Sequence, residues 1–178
     1  DTTAPVITSV TIPAYSLSTS ATITNSVSHP AAAFEMRLYG DITAVSGGSV
    51  GVWKAYAVSQ AITLSTGDGL KVVTAEFHDS ALNTVSALVT TTLDTVRPVG
   101  TVSINNGAAY TNNALVTLGT ATTDLDITAM DIKTSNLACS DGSRVYGTTY
   151  SNQVTYTLTG GEGSNAIYVC YQDRAGNK

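Results

Sequence analysis

An internal repeat constrains the fold of this chain more than any other feature of its sequence. Residues Ser65–Asn83 read STGDGLKVVTAEFHDSALN, and residues Thr159–Asn177 read TGGEGSNAIYVCYQDRAGN. Chance does not keep one register over so many positions, so the chain is interpreted as two copies of one structural unit. An ungapped offset of 94 positions aligns further matching residues: Met36 with Met130, Tyr56 with Tyr150, Leu64 with Leu158, Gly67 with Gly161, Gly69 with Gly163, Asp79 with Asp173, and Asn83 with Asn177.

The start of each copy repeats as well, which places the boundary between them. DTTAPV begins at Asp1 and DTVRPV begins at Asp94. We therefore expect a first domain at residues 1–93 and a second domain at residues 94–178.

Each copy is predicted to be an all-β, antiparallel sandwich. Charged residues make up only 12% of the 178 residues, and Thr, Ser, Val, Ala and Gly are abundant, which favours strands and turns. Apolar residues alternate with polar ones, as expected for sheets that bury one face, and turn signals recur about every 8–12 residues. In the second copy the predicted strands are Val99–Ile104, Ala114–Ala121, Ile127–Lys133, Gln153–Thr159 and Asn165–Gln172, with Thr128, Met130 and Ile132 sharing one face of the third.

Several short motifs carry a resemblance to a known family. They are DTTAP, MRLYGDI, LSTGDGLKVVTAEFHDSALN and INNGAAYTNN…LTGGEGSNAIYVCYQDRAGN, and they cover both copies almost end to end. In this order they resemble the immunoglobulin-like repeats found in tandem in large bacterial surface proteins and adhesins and in bacteriophage virion proteins. The D-x-A-x-N ending is the most specific part, although Leu82 stands where the second copy has Gly176. The resemblance implies a seven-stranded sandwich that acts as a spacer or an adhesive module.

The two copies differ at their last strand. Ser65–Asn83 is interpreted as the E–F turn, strand F and the F–G turn, and Thr84–Asp94 then supplies strand G to the first copy. The sequence ends at Lys178, so the second copy is predicted to lack strand G. Three explanations stay open: the chain continues with further repeats, which we favour; it is a natural fragment; or another chain donates the strand.

No catalytic constellation is expected. His29 and His78 occur in the first copy only, and both are predicted to be surface residues. His78, Asp79 and Ser80 are consecutive, and neighbours on a strand point to opposite faces, which excludes a Ser-His-Asp relay. The sequences TGDG and TGGEG precede no helical pattern and are interpreted as turns. The chain is therefore predicted not to be an enzyme.

Calcium is the one cofactor hypothesis that the sequence raises. In a sandwich of this order, the B–C and F–G turns of one copy lie near the E–F turn of the copy before it. Calcium takes six to eight oxygen ligands, which carboxylates and amides supply. Asp and Asn in turns also commonly bond their own backbone, and this alternative stays open. The candidate ligands are Asp68, Asp94, Asp124, Asp126, Asp173 and Asn177.

The two cysteines, Cys139 and Cys170, predict one disulfide, with two free thiols as the alternative. Cys170 aligns with Glu76 of the first copy. Its neighbours Val169 and Tyr171 are predicted to point inward, so Cys170 is predicted to point outward. A bond would then staple the segment around Cys139 onto the outer face of the sheet.

Composition bounds the partners and the location. A net charge of −5 with eight basic residues excludes a nucleic-acid footprint, and no apolar run is long enough for membrane insertion. We predict a non-enzymatic spacer, stalk or decoration module, outside the cell on a bacterial or virion surface, whose partners are further repeats or neighbouring structural subunits. The alternative is an adhesion module for a host-surface protein or glycan, which would use the divergent segments Gly40–Ala55 and Leu137–Tyr150. Clustered aromatics such as Trp53 and Tyr146 would serve that role, but the repetition of Tyr56 at Tyr150 favours packing.

Overall fold

The computed structural model describes residues 2–28 and 34–178, and these residues fold almost entirely into β-strands. The chain divides into two compact units, Asp1–Thr95 (unit 1) and Val96–Lys178 (unit 2). The strands of unit 1 are β1 (Val6–Thr11), β2 (Tyr15–Ser16), β3 (Ser20–Ser28), β4 (Phe34–Gly40), β5 (Ile42–Val45), β6 (Lys54–Ala55), β7 (Ser59–Leu64), β8 (Gly69–Asp79) and β9 (Thr84–Leu93). Those of unit 2 are β10 (Gly100–Ile104), β11 (Leu115–Thr122), β12 (Ile127–Lys133), β13 (Thr148–Thr149), β14 (Gln153–Thr157) and β15 (Tyr168–Asp173), with a short 3-10 turn at Asn105–Gly107.

Unit 1 is a sandwich of two sheets. One sheet has the strand order β1-β3-β7-β5 and the other has the order β2-β9-β8-β4-β6. All pairings are antiparallel except the one between β2 and β9, which is parallel. Strand β8 shows why the sheets pack: its alternating Val73, Ala75 and Phe77 are each 0% exposed. Together with residues from the facing sheet they form the core, whose buried members are Ile23, Met36, Leu38, Ile42, Val45, Ile62, Leu64, Val73, Ala75, Phe77 and Leu93.

Unit 2 repeats this plan with fewer strands. Its sheets have the orders β10-β11-β14 and β13-β12-β15. The repeated aromatic pair shows that the sequence repeat is also a packing repeat. Tyr56 meets Phe77 edge to face at 6.1 Å between ring centroids in unit 1, and Tyr150 meets Tyr171 edge to face at 6.1 Å in unit 2. The buried apolar residues of unit 2 are Val116, Leu118, Met130, Cys170 and Tyr171.

Two details of unit 2 differ from the sequence-based expectation. The strand predicted from Asn165 begins three residues later, because the Asn165 amide donates hydrogen bonds to the Gly161 and Gly163 carbonyls and closes a turn. Thr128 is exposed although Met130 is buried, because the β12–β15 register shifts between Ile127 and Ala129. Thr128 was therefore wrongly placed on the inward face.

The last strand distinguishes the two units. In unit 1, β9 pairs with β8 over ten positions, from Gly69 opposite Leu93 to His78 opposite Thr84. Among the described residues of unit 2, no strand takes the corresponding place, and β15 pairs with β12 alone. Unit 2 thus has the predicted architecture, a sandwich without its last strand, and β15 forms the edge of its sheet.

Candidate functional site

The D-x-A-x-N motif forms the same closed turn in both units. In unit 1, Asp79 Oδ1 accepts the backbone N–H of Ala81 at 2.8 Å and that of Asn83 at 2.9 Å. The Asn83 amide donates to Asp79 Oδ2 at 2.8 Å. The carboxylate and amide therefore satisfy the backbone of their own turn, as Asx motifs do.

In unit 2 the same bonds recur around Asp173. Its Oδ1 accepts the N–H groups of Gly176 and Asn177, both at 2.8 Å, and its Oδ2 accepts the Asn177 amide at 2.9 Å. The turn requires a left-handed backbone at its fourth position, where Gly176 has φ of 97° and Leu82 has φ of 65°. A residue with a Cβ is strained in this region, so Leu82 carries a cost that Gly176 does not.

The other candidate calcium ligands lie in separate hydrogen-bonding environments. Asp68 accepts the backbone N–H of Thr95 at 3.1 Å and its hydroxyl at 3.0 Å, and Asp124 accepts the backbone N–H of Val99 at 3.1 Å. The backbone N–H of Asp94 donates to the Ser16 carbonyl, and Asp126 is half-buried. Within residues 2–28 and 34–178, no group of three or more His, Cys, Asp or Glu side chains could hold a metal. Calcium binding stays a prediction.

The outer face of the β8–β4 sheet in unit 1 is covered by an ion pair and an aromatic ring. Arg37 Nε donates to Glu76 Oε2 at 2.6 Å, and the Trp53 ring centroid lies 4.6 Å from the Arg37 guanidinium carbon. The Trp53 ring also meets the His78 ring edge to face at 3.9 Å. A cation held over a ring in this way is stabilised by the ring quadrupole.

This cover makes the surface assignment of His78 wrong. The residue is only 8% exposed because Trp53 lies over it, its Nδ1 is 2.7 Å from the Asp79 carbonyl, and its Nε2 is 3.4 Å from Glu35 Oε2. His29, the other predicted surface histidine, lies outside the described residues.

The outer face of unit 2 is covered by the disulfide that the sequence predicted. Cys139 and Cys170 are bonded, and Cys170 is 3% exposed beneath the segment that the bond holds down. Tyr146, in the same segment, donates its hydroxyl hydrogen bond to the Cys139 carbonyl at 2.6 Å. Burial of the Tyr146 ring raises the pKa of its hydroxyl above the ordinary value.

A buried ion pair, which the sequence reasoning missed, lies under the same segment. Arg144 Nη1 is 3.1 Å from Asp131 Oδ2, and the Arg144 side chain is 0% exposed. Its other nitrogens donate to the carbonyls of Ala138 at 3.0 Å and Leu137 at 2.7 Å. Arg144 therefore joins the sheet to the segment that covers it, and all of its bonds are internal to unit 2.

The two covers use aligned positions with different chemistry. Arg37 and Glu76 of unit 1 align with Asp131 and Cys170 of unit 2, and in each unit the two residues lie opposite one another across neighbouring strands. An acidic residue at the Asp131 position, with Cys170 in place of its ionic partner, was the available signal that another cation must approach. The divergent segments suggested for adhesion thus lie against their own sheets.

The aromatic residues of these segments are used in packing. The Tyr56 hydroxyl donates to the Asn25 carbonyl at 2.9 Å, and the Tyr56 ring lies 4.4 Å from that of Phe34. Trp53 lies over Arg37, and Tyr146 lies under the terminal ammonium of Lys178 at 4.7 Å. The side chains that sequence analysis offered as a stacking platform therefore contact their own unit.

Comparisons with known proteins identify the fold. No protein-family model matches the chain, and no curated protein matches its sequence. Among solved structures, the chain is similar to the fibronectin(III)-like modules of CbhA from Clostridium thermocellum, with a TM-score of 0.55 and 15% identity over 95% of this chain and 88% of that one. It also aligns with dimeric latent PorU from Porphyromonas gingivalis, with a TM-score of 0.32 and 12% identity, over all of this chain and 18% of that one.

The first of these similarities is the informative one, because its TM-score lies above 0.5 over nearly the whole of both chains. None of the helices in the described part of the chain is long and apolar enough to cross a membrane. The strand orders and the similarity agree, and the chain has the β-sandwich fold shared by fibronectin(III)-like and immunoglobulin-like modules.

Proposed function

We propose that this chain is a non-enzymatic structural module, a spacer or decoration element of a larger protein displayed on a bacterial cell or a phage particle. The observation that carries the proposal is the use of the chemically versatile side chains. Asp173, Arg144, Trp53 and His78 all bond or pack within their own units. Side chains committed in this way hold a module closed, which is what a spacer requires.

The strand pairing at the ends of unit 1 supports a role under tension. The backbone N–H groups of Thr92 and Asp94 donate to the carbonyls of Ala14 and Ser16, both at 2.9 Å. Strand β2 lies near the beginning of the unit and β9 near its end, and the two are parallel. A pull on the two ends therefore loads these hydrogen bonds in shear, so that several must break together.

The disulfide supports display outside the cytoplasm. Disulfides such as Cys139–Cys170 persist in oxidising compartments and on cell and virion surfaces, whereas cytosolic thiols are kept reduced. The neighbours of such a module would be further repeats of the same protein or adjoining structural subunits.

Single-molecule stretching of residues 1–178 tests the proposal. We expect unit 1 to unfold in one discrete step, and Thr92→Pro, which removes the N–H that donates to Ala14, to lower its unfolding force. In unit 2 the disulfide withholds a 31-residue segment, so reductant should lengthen its extension by about 110 Å, at roughly 3.6 Å per residue. Gradual extension of unit 1 without a step would contradict a spacer role.

The adhesion alternative predicts a different result. A binder presents side chains to its target, and saturable binding of the intact chain to a glycan array or to host-cell surface proteins would favour it over the spacer. The inward packing of Trp53, Tyr56 and Tyr146 leads us to expect no saturable binding.

A further inference from the structure

Unit 2 has an open strand position along β15. In unit 1, β8 is paired on both sides, by β4 and by β9. In unit 2, as far as the chain is described, β15 is paired by β12 alone. An edge strand presents backbone N–H and C=O groups that can pair with a further strand.

A groove continues this open edge. It has a volume of about 1020 Å³ and lies between residues 104–114 and residues 158–165 of unit 2. The corresponding parts of unit 1 hold the end of β9, because Tyr15 pairs with Thr92 and Gly69 pairs with Leu93. The groove is therefore where the end of a β9-like strand would lie.

The exposure of an aromatic residue marks the same place. The dipeptide Ala14-Tyr15 recurs as Ala109-Tyr110. Tyr15 is half-buried beside β9, whereas Tyr110, at the groove, is 93% exposed. A tyrosine that packs beside a strand in one copy is uncovered in the other.

The core of unit 2 is uncovered along the same line. Leu64, Val73 and Ala75 are each 0% exposed in unit 1. Their aligned residues in unit 2 are each partly exposed; these are Leu158, Ile167 and Val169. Apolar surface that one copy buries is therefore available to a ligand in the other.

We propose that the edge of β15 and the adjoining groove form a binding site for one extended polypeptide segment of the β9 type, from outside residues 1–178. The segment pairs antiparallel with β15. The alignment of the copies assigns its register: its counterpart of Val89 lies opposite Ile167, and its counterpart of Val85 lies opposite Tyr171. Inward positions must be apolar or β-branched, as Val85, Val89 and Leu93 are, and outward positions such as Leu88 are free to vary.

Peptides based on β9 test this site without altering the fold of the protein. The intact chain is mixed with a peptide of residues 84–94, TVSALVTTTLD, and hydrogen exchange of the Tyr168–Gln172 amides is followed by NMR. We expect the amides on the free edge to gain at least tenfold protection at saturation. Two peptide variants provide a matched pair: Leu88→Asp changes an outward residue and should still bind, whereas Val89→Asp changes the neighbouring inward residue and should not.

Three results would overturn the proposal. One is the absence of added protection with the parent peptide. Another is equal protection by the Val89→Asp peptide, since binding would then not use the inward face. The third is protection of the same amides without peptide, accompanied by a concentration-dependent dimer in sedimentation, which would show that a second copy of the chain occupies the edge.

Discussion

Replacing Arg144 with methionine tests how unit 2 is held together. The Arg144 side chain is 0% exposed, and that of its partner Asp131 is 7% exposed. Arg144→Met leaves a buried carboxylate without its cation, and removing one partner of a buried pair costs about 3–5 kcal/mol. The Leu137 and Ala138 carbonyls also lose a charged donor. We expect the free energy of unfolding of unit 2 to fall by about 3–5 kcal/mol.

Lys133 provides the matched control, because its ammonium contacts the same carboxylate. The distance is 3.8 Å and the Lys133 side chain is 36% exposed. Exposed ion pairs contribute about 0–1 kcal/mol, so Lys133→Met should cost less than about 1 kcal/mol. Asp131→Asn removes the charge that Arg144→Met strands, and the double variant should therefore be more stable than Arg144→Met alone.

Urea unfolding under oxidising conditions separates the two units. Trp53 is the single tryptophan of the chain and lies in unit 1, so its fluorescence follows unit 1 and should not change. NMR amide peaks of β12 and β15 follow unit 2. If Arg144→Met destabilises unit 2 no more than Lys133→Met does, the reasoning from burial is refuted.

Four further predictions concern the same framework. Replacing both Cys139 and Cys170 with serine releases a cross-link between residues 31 positions apart, and urea unfolding should show unit 2 destabilised by ~3.7 kcal/mol, with unit 1 unchanged as a control. Leu82→Gly should stabilise unit 1 by about 1 kcal/mol in thermal unfolding, since it relieves a left-handed backbone, and Gly176→Leu should destabilise unit 2 by at least as much; equal stability of both variants and parent would contradict this. Gly100→Ala places a Cβ against the Tyr171 ring and should lower the melting temperature of unit 2, whereas Gly142→Ala, with no atom within 4 Å, should not. Burial raises the pKa of Tyr171 above 10.0, so the stability that its neutral form contributes is complete below pH 10 and is lost as the pH rises through the folded-state pKa; a Tyr171→Phe variant should lack this part of the alkaline decline.

The duplication carried most of what the sequence could predict. Because the offset aligns Met36 with Met130 and Tyr56 with Tyr150, it predicted two sandwiches of one plan, and the aligned aromatic pairs occupy matching places. Alternation along β15 placed Cys170 on the outer face, which led to the disulfide. The turn residue Leu82 was recognisable as a departure because Gly176 stands at the aligned position.

What the sequence could not predict was which faces are covered. Alternation shows that His78 and Asp131 point away from the core, but it does not show that Trp53 and Arg144 fold back over them. Those contacts join residues 13 to 25 positions apart through irregular segments, where no periodic pattern exists to read. The bulge in β12 escaped prediction for a similar reason, since it depends on how Ile127 and Ala129 meet their partners.

Hydrogen exchange of the chain alone tests most directly the claim that unit 2 is unit 1 without its last strand. An interior strand bonds its N–H groups alternately to the neighbours on its two sides, whereas an edge strand leaves every second N–H to water. The account predicts slow exchange at every amide from Val72 to Phe77 in β8, and alternating slow and fast exchange from Tyr168 to Gln172 in β15. Uniform slow exchange along β15 in the monomeric chain would contradict it.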